Sequence, residues 1–295
     1  MKIQLPRLAL LMFPIALLLS CSAQARIARP ALWKVSSPTA TIYLLGTIHA
    51  LPVGEEWHTP AITKAEAESS VLVLELSDSG DQAKLAETVR SIAFAPGQPD
   101  VLDRVPPAQR PALQALLAQS GAPLPALKAY KTWAVYLFAL NPLMLKTIGL
   151  TGEEGVERKL TADFTASGKS IEGLETVKYQ LGIFDALPEA TQRHMLAEAV
   201  ADFPKAKAEF FETLRAWEAG DPALIAKSFD KDLKSEPELE HVLIHNRNVN
   251  WTNWTLARLH QSGTTLVAVG AGHLAGDDSV IAMLRAKGLK VVRVE

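Results

Sequence analysis

Four short stretches of the chain are almost continuously apolar, the pattern of strands buried on both faces. They are Thr41-Ile42-Tyr43-Leu44-Leu45, Val71-Leu72-Val73-Leu74-Glu75-Leu76, Thr265-Leu266-Val267-Ala268-Val269 and Lys290-Val291-Val292-Arg293-Val294. Ser170-Ile171-Glu172, before Gly173, is a fainter candidate. Elsewhere apolar residues recur at helical spacing between Pro and Gly borders, which predicts helices over about 107–119, 125–140 and 153–167. A longer helical region covers about 176–219 with interruptions near Pro188 and Pro204, and another about 236–261. Asp277-Asp278 precede Val280, Ile281 and Leu284 and are expected to cap a short helix. The expectation is an α/β fold with some α+β character. One central mixed, mostly parallel sheet comes from the two ends of a single domain over 26–295, around a large helical insertion.

Composition removes several function classes. The 295 residues are 48 % hydrophobic and 21 % charged, as in an ordinary globular protein and unlike a disordered or fibrous one. With 30 basic against 32 acidic residues and no Lys/Arg block, nucleic acid is not an expected partner.

Residues 1–25 read apart from the fold. Lys2 and Arg7 precede an apolar run from Leu8 to Leu19, and Ala23-Gln24-Ala25 follows as a small-x-small cleavage pattern. This is a signal peptide, too short to span about 30 Å of hydrocarbon, and it directs the protein to the periplasm or the cell exterior. A competing pattern, Leu18-Leu19-Ser20-Cys21, resembles a bacterial lipoprotein box and would anchor the chain through a lipid at Cys21. Cys21 is the only cysteine, so the mature chain has no disulfide, thiolate metal site or cysteine nucleophile. No later segment has the 18 or so consecutive apolar residues of a transmembrane helix.

The chemistry gathers at strand ends. Gly46-Thr47-Ile48-His49 follows one strand and Gly270-Ala271-Gly272-His273 another. Ligands of open α/β sheets bind outside the carboxyl ends of strands, so parallel neighbours would bring both imidazoles to one crevice. Glu75, embedded in a buried strand, needs a cation, a donor or a metal. His49, Glu75 and His273 are therefore candidate ligands of a divalent ion (Mn²⁺, Co²⁺ or Zn²⁺), whose bound water would be acidified. The alternative is that Glu75 pairs with Arg247 or Lys169.

The same residues carry a resemblance. Trp33-Lys34-Val35 with Ile42-Tyr43-Leu44-Leu45-Gly46-Thr47-Ile48-His49, Leu74-Glu75-Leu76, Gly173-Leu174-Glu175-Thr176 with Gln180, Arg247-Asn248 and Gly270-Ala271-Gly272-His273-Leu274 resemble, in order and spacing, the TraB/GumN family. That family is similar to the Tiki metalloproteases, and its fold to erythromycin esterase and ChaN-like proteins. The resemblance implies a hydrolase-like site with His49 and His273 as its paired histidines, Glu75 as the acidic partner, and Glu175 and Arg247 as further site residues. The chain departs from the family in having Asp277-Asp278-Ser279-Val280 where many relatives carry a glycine before the valine.

Glu175 is then the candidate general base, or else the partner of a basic residue. Arg247 is the candidate clamp for a substrate carboxylate or oxyanion, or else a salt bridge between helix and sheet. Other motifs fall away. His241 and His245 stand at i, i+4 with Val242 where a zinc protease needs Glu, and Gly168-Lys169-Ser170 lacks the earlier glycine of a phosphate loop. There is no Gly-x-Ser-x-Gly elbow. His58, His194 and His260 read as ordinary surface residues. Three functions remain: a metal-dependent, peptidase-like hydrolase, which the complete polar set favours; a metal-independent hydrolase using His and Glu to activate water; and a binding protein for a peptide or small molecule.

Overall fold

Alternation along the strands decides how the layers assemble. In β2 (Ala40–Thr47), Ile42 and Leu44 face one side of the sheet, and Tyr43 and Leu45 the other. A strand of this kind needs cover on both faces, and helices supply it. We describe the fold from a computed structural model covering residues 27–76, 82–150, 152–233 and 237–295. The expected leader, with Cys21, lies outside the described residues.

The other strands are β1 (Leu32–Ser36), β3 (Val71–Leu76), β4 (Ser170–Glu175), β5 (Gly263–Gly270) and β6 (Val292–Arg293). Their order across the sheet is β4-β3-β5-β2-β1-β6. β4, β3, β5 and β2 run parallel, and β1 is antiparallel to both of its neighbours. The fold is thus α/β with one mixed, mostly parallel sheet from the two ends of the chain, as the apolar runs imply. Three details differ. The faint Ser170 run is a full strand, β1 has no counterpart among the expected strands, and the closing strand shrinks to two exposed residues.

One face of the sheet packs Leu45, Leu72, Leu74 and Leu266 against Trp57, Phe164 and Trp217. The other packs Ile42, Leu44, Val73 and Val267 against Trp251, Ile281 and Leu284. The helical insertion has its own apolar cluster around Leu113, Leu117, Leu140 and Leu196. Pro188 and Pro204 separate helices Val177–Asp185, Glu189–Asp202 and Ala206–Glu218, as expected. Helices Pro60–Glu68, Gln82–Ala93 and Pro222–Leu233 are additions to the expected set.

The helix expected over 125–140 breaks after Leu127. There Tyr130 bridges to Phe94, and the buried Arg104 donates to the carbonyls of Lys128 and Tyr130, satisfying groups that a helix would otherwise pair. Asp277 and Asp278 do not cap the last helix. Ser279 does, its hydroxyl accepting from the Ala282 N–H at 3.1 Å. Among the described residues no helix is long and apolar enough to cross a membrane.

Candidate functional site

β2 and β5 are parallel neighbours that end side by side, Thr47 opposite Gly270. Both Gly-x-x-His turns therefore leave the sheet at the same edge. Their contact explains a glycine: a Cβ on Gly46 would come 3.2 Å from Ala271, so only glycine lets the turns approach this closely.

The two histidines nevertheless have different surroundings. His49 is on the surface of the turn, its side chain 69 % exposed. Its Nδ1 lies 2.8 Å from Oε1 of Glu157, and the same oxygen accepts from the Thr47 hydroxyl. Its Nε2 has no hydrogen-bond partner among the described residues. Burial among the walls of the turn disfavours the imidazolium, but the Glu157 carboxylate, its hydrogen bond and the charge of Glu75 outweigh this and lift the pKa to about 9. The ring is crowded by protein atoms on one side and open to water on the other. Burial would raise the Glu157 carboxyl, but His49 and Thr47 hold it below its ordinary value.

Glu157 starts the helix Val156–Ala166, which sits directly on the His49 turn. Val156 N–H donates to the Ile48 carbonyl at 3.2 Å, and a Cβ on Gly155 would run into the His49 carbonyl. Backbone meets backbone there, so neither side can move aside cheaply. Gly155→Ala is expected to cost about 1–3 kcal/mol through this overlap, lowering the melting temperature and parting Glu157 from His49. A variant that melts with the wild type would show that the turn and the helix do not meet this way.

His273 is buried. Its Nε2 lies 3.0 Å from Nη1 of Arg247, which can only donate, so Nε2 accepts. Its Nδ1 must then carry the proton, which it gives to Asn248 Oδ1 at 2.7 Å. Asn248 is itself oriented by its Nδ2, which donates to the Asp278 carbonyl at 2.7 Å. The ring is thus fixed in one neutral tautomer, and burial pushes its pKa down to about 4 against the pull of Glu75.

Arg247 holds the centre. It donates from Nε to Glu175, from Nη1 to the Leu243 carbonyl and His273, and from Nη2 to Glu75 at 2.6 Å and Glu175 at 2.9 Å. All five of its N–H groups are engaged, which leaves none for a substrate carboxylate or oxyanion in this arrangement. Trp251 lies 4.7 Å beneath the guanidinium and donates its indole N–H to Glu175 at 2.9 Å. Gln180 bridges Glu75 and Glu175 at 3.1 and 3.2 Å. Glu175, the candidate base, is buried with both oxygens committed, so the salt-bridge reading describes Glu175 and Arg247 as they stand.

Glu75 accepts from the Gly270 N–H at 2.8 Å just beyond the last β3–β5 pair, Leu74 opposite Ala268, so the carboxylate continues the ladder in place of backbone. Burial would raise its pKa, but His273, His49 and Arg247 hold it at about 2. At the acid pH where Glu75 titrates, His273 is itself protonated.

The approach to Arg247 is also unusual. His241–His245 forms a π-turn in the helix leading to Asn246–Arg258. The extra residue rotates Asn246–Arg258 by roughly 100° relative to a regular helix. Beside it, a groove of about 580 Å³ is lined by Thr176, Tyr179, Gly182, Ile183, Val242 and Asn246, the first next to Glu175 in sequence and the last next to Arg247. Asp278, just before the last helix, pairs with Nδ1 of His245 at 2.8 Å.

These elements span the whole described fold, and the match to known proteins has the same extent: the TraB/PrgY/gumN family matches over residues 31–293. The chain belongs to that family. Both Gly-x-x-His turns, the Glu75–Arg247–Glu175 network and the Asn248–His273 pair lie inside the matched span. No curated protein and no solved structure matches the chain.

A divalent ion at His49, Glu75 and His273 can be tested against the donors. The three do converge: a Cβ placed on Gly270 would lie 3.2 Å from Oε1 of Glu75 and 3.7 Å from both Nε2 of His49 and Cδ2 of His273. Arg247, however, is a permanent cation bonded to both Glu75 and His273, and it fills the electrostatic role an ion would have. An ion would have to displace it, so this donor set does not fit one in the arrangement described.

The sequence reading missed Glu157 and the tasks of Asn248, Gln180 and Trp251. The one sequence signal for Glu157 is Gly155-Val156-Glu157, a glycine before a helix whose first turn carries an acid.

Proposed function

We propose that this TraB/PrgY/gumN family protein is a hydrolase in which His49, oriented by Glu157, activates water against a peptide or similar carbonyl substrate. One observation carries the reading. His49 offers a free Nε2 to an open turn while its Nδ1 is bonded to a buried carboxylate, the base–orienter arrangement of general-base catalysis.

The roles divide among a few residues. With the Nδ1 proton directed to Glu157, the neutral ring carries its lone pair on Nε2 and accepts a proton from water there. The imidazolium so formed is stabilised by Glu157 at 2.8 Å and by the charge of Glu75. The proton then passes to the leaving group as the carbonyl carbon–heteroatom bond breaks. Arg247, Gln180 and Gly270 hold Glu75 in place and ionised. The groove beside Glu175 and Arg247, where Ile183, Ala186 and Val242 alternate with Thr176, Lys178 and Asn246, suits an extended substrate better than a small ion.

The pH dependence has a definite sign. A general base works deprotonated, so turnover should rise as pH climbs through the raised pKa of His49, half-maximal near pH 9 and reaching its plateau above it. Glu157→Gln removes the strongest upward influence on that pKa. Its limb should move to lower pH while its plateau falls. Stability has the opposite sense: with a folded pKa above 6.5, the contribution of the imidazolium is complete below pH 6.5 and lost as pH approaches 9.

The test is a pH–rate profile on a peptide and ester panel, for wild type and Glu157→Gln, with and without a chelator. A limb that shifts in the variant and ignores the chelator supports the reading. Turnover abolished by chelator and restored by Mn²⁺ or Co²⁺ would replace it with the metal-dependent one. A panel with no turnover in any condition would move the weight to a binding protein.

A further inference from the structure

Across the helix Val156–Ala166 from Glu157, on the turn beyond β2, lies a second cluster. His58 begins it, an ordinary surface residue by sequence. In the fold its Nε2 lies 3.2 Å from Oε1 of Glu66 and 3.6 Å from Oδ2 of Asp163. All three ligand-capable atoms lie within 4.8 Å of one another, the one such group among the described residues.

Two features separate this cluster from an ordinary ion pair. Nε2 of His58 and Oε1 of Glu66 have essentially no contact with water, and neither makes a hydrogen bond despite their short separation. An imidazolium–carboxylate pair at that distance normally aligns N–H with oxygen. Two atoms aimed at a common point between them do not. Ligands about 2.0–2.2 Å from a tetrahedral ion sit roughly 3.3–3.6 Å apart, close to the 3.2 and 3.6 Å that separate His58 Nε2 from the Glu66 and Asp163 oxygens.

Charge points the same way. Two carboxylates face one imidazole, and the neighbouring cation, Lys169, donates to the backbone carbonyls of Glu66 and Ala67 instead. The His58 ring is held by stacking on the buried Trp57, with centroids 3.8 Å apart.

We infer that His58, Glu66 and Asp163 bind a divalent transition ion of the zinc type, with water completing the coordination. The ion ties the helix Pro60–Glu68 to the helix Val156–Ala166 and so braces the element that presents Glu157 to His49. It is separate from His49, Glu75 and His273 and shares no residue with them. One imidazole and two carboxylates suit Zn²⁺, Co²⁺ or Mn²⁺.

The experiment is a titration of the purified protein with Zn²⁺ by calorimetry, with Co²⁺ as a visible-absorption probe, on wild type, Asp163→Asn, His58→Gln and His49→Ala. Asp163 is half exposed, so its variant tests the site without endangering the fold, and circular dichroism verifies each protein. The expected result is one ion per chain with a tetrahedral Co²⁺ spectrum and a higher melting temperature. Affinity should fall at least tenfold in Asp163→Asn and His58→Gln and stay unchanged in His49→Ala. Absent binding, binding unaltered by both cluster substitutions, or binding lost only in His49→Ala would each overturn the assignment. Because the readout is binding, it stands or falls independently of hydrolysis.

Discussion

His49→Gln is expected to lower turnover by about 10²–10⁴-fold, the usual range for a general base, with a melting temperature close to the wild type above pH 9 and below it near neutral pH, where the imidazolium–Glu157 pair is lost. The two halves of this expectation have one source. The ring is largely open to water and contributes little packing, so its removal leaves the core intact. Its value lies in the free Nε2 and in the Glu157 bond that fixes the tautomer, and Gln supplies no titratable nitrogen. Rates compared above pH 9, where the wild-type ring is mostly deprotonated, give the largest contrast. Turnover within a few-fold of wild type would sink His49 as the base.

Arg247→Met is expected to be the most destabilising single change in the site, by about 3–5 kcal/mol, because it leaves Glu75 and Glu175 as buried charges without their cation. The loss should show as a melting temperature lower by on the order of 10 °C. It should also depend on pH. In the wild type Glu75 has a pKa of about 2, so its contribution is present above the ordinary carboxylate range and lost as pH falls toward 2. Without Arg247 the carboxyl takes up a proton at higher pH, so the gap between variant and wild type should narrow on acidification. A gap constant from pH 7 to pH 4 would show that lost packing on Trp251, not unpaired charge, causes the effect.

The sheet was legible because its strands are buried on both faces, and burial writes itself as unbroken apolar sequence. β1 was not, since Leu32, Trp33 and Val35 with Lys34 between them make too short a run. The strand ends were legible in part: the repeated Gly-x-x-His implies one shared crevice if its two strands are parallel neighbours, and the β2–β5 pairing supplies that condition. What spacing could not give was the difference between the two histidines. His273 is neutral and enclosed because Arg247 and Asn248 reach it from a helix that precedes it by about 25 residues, and no local pattern records that approach. Glu157 lay hidden for the same reason, being joined to His49 only when residues more than a hundred positions apart are packed together.

The pairing of β2 with β5 also bears on how the protein is made. Ala40–Thr47 waits for Gly263–Gly270, so the central ladder of the sheet closes only after the more than two hundred residues between them have been synthesised. Contacts of such long range form slowly, since the intervening loop must be closed before they are gained. Until then the apolar face of β2 is without its neighbour and open to misassociation. A chain truncated before Gly263 would keep much of its helical insertion and lack both β5 and the His273 turn. Refolding should therefore show helix content returning well before the burial of Trp251 and Trp217 against the closed sheet.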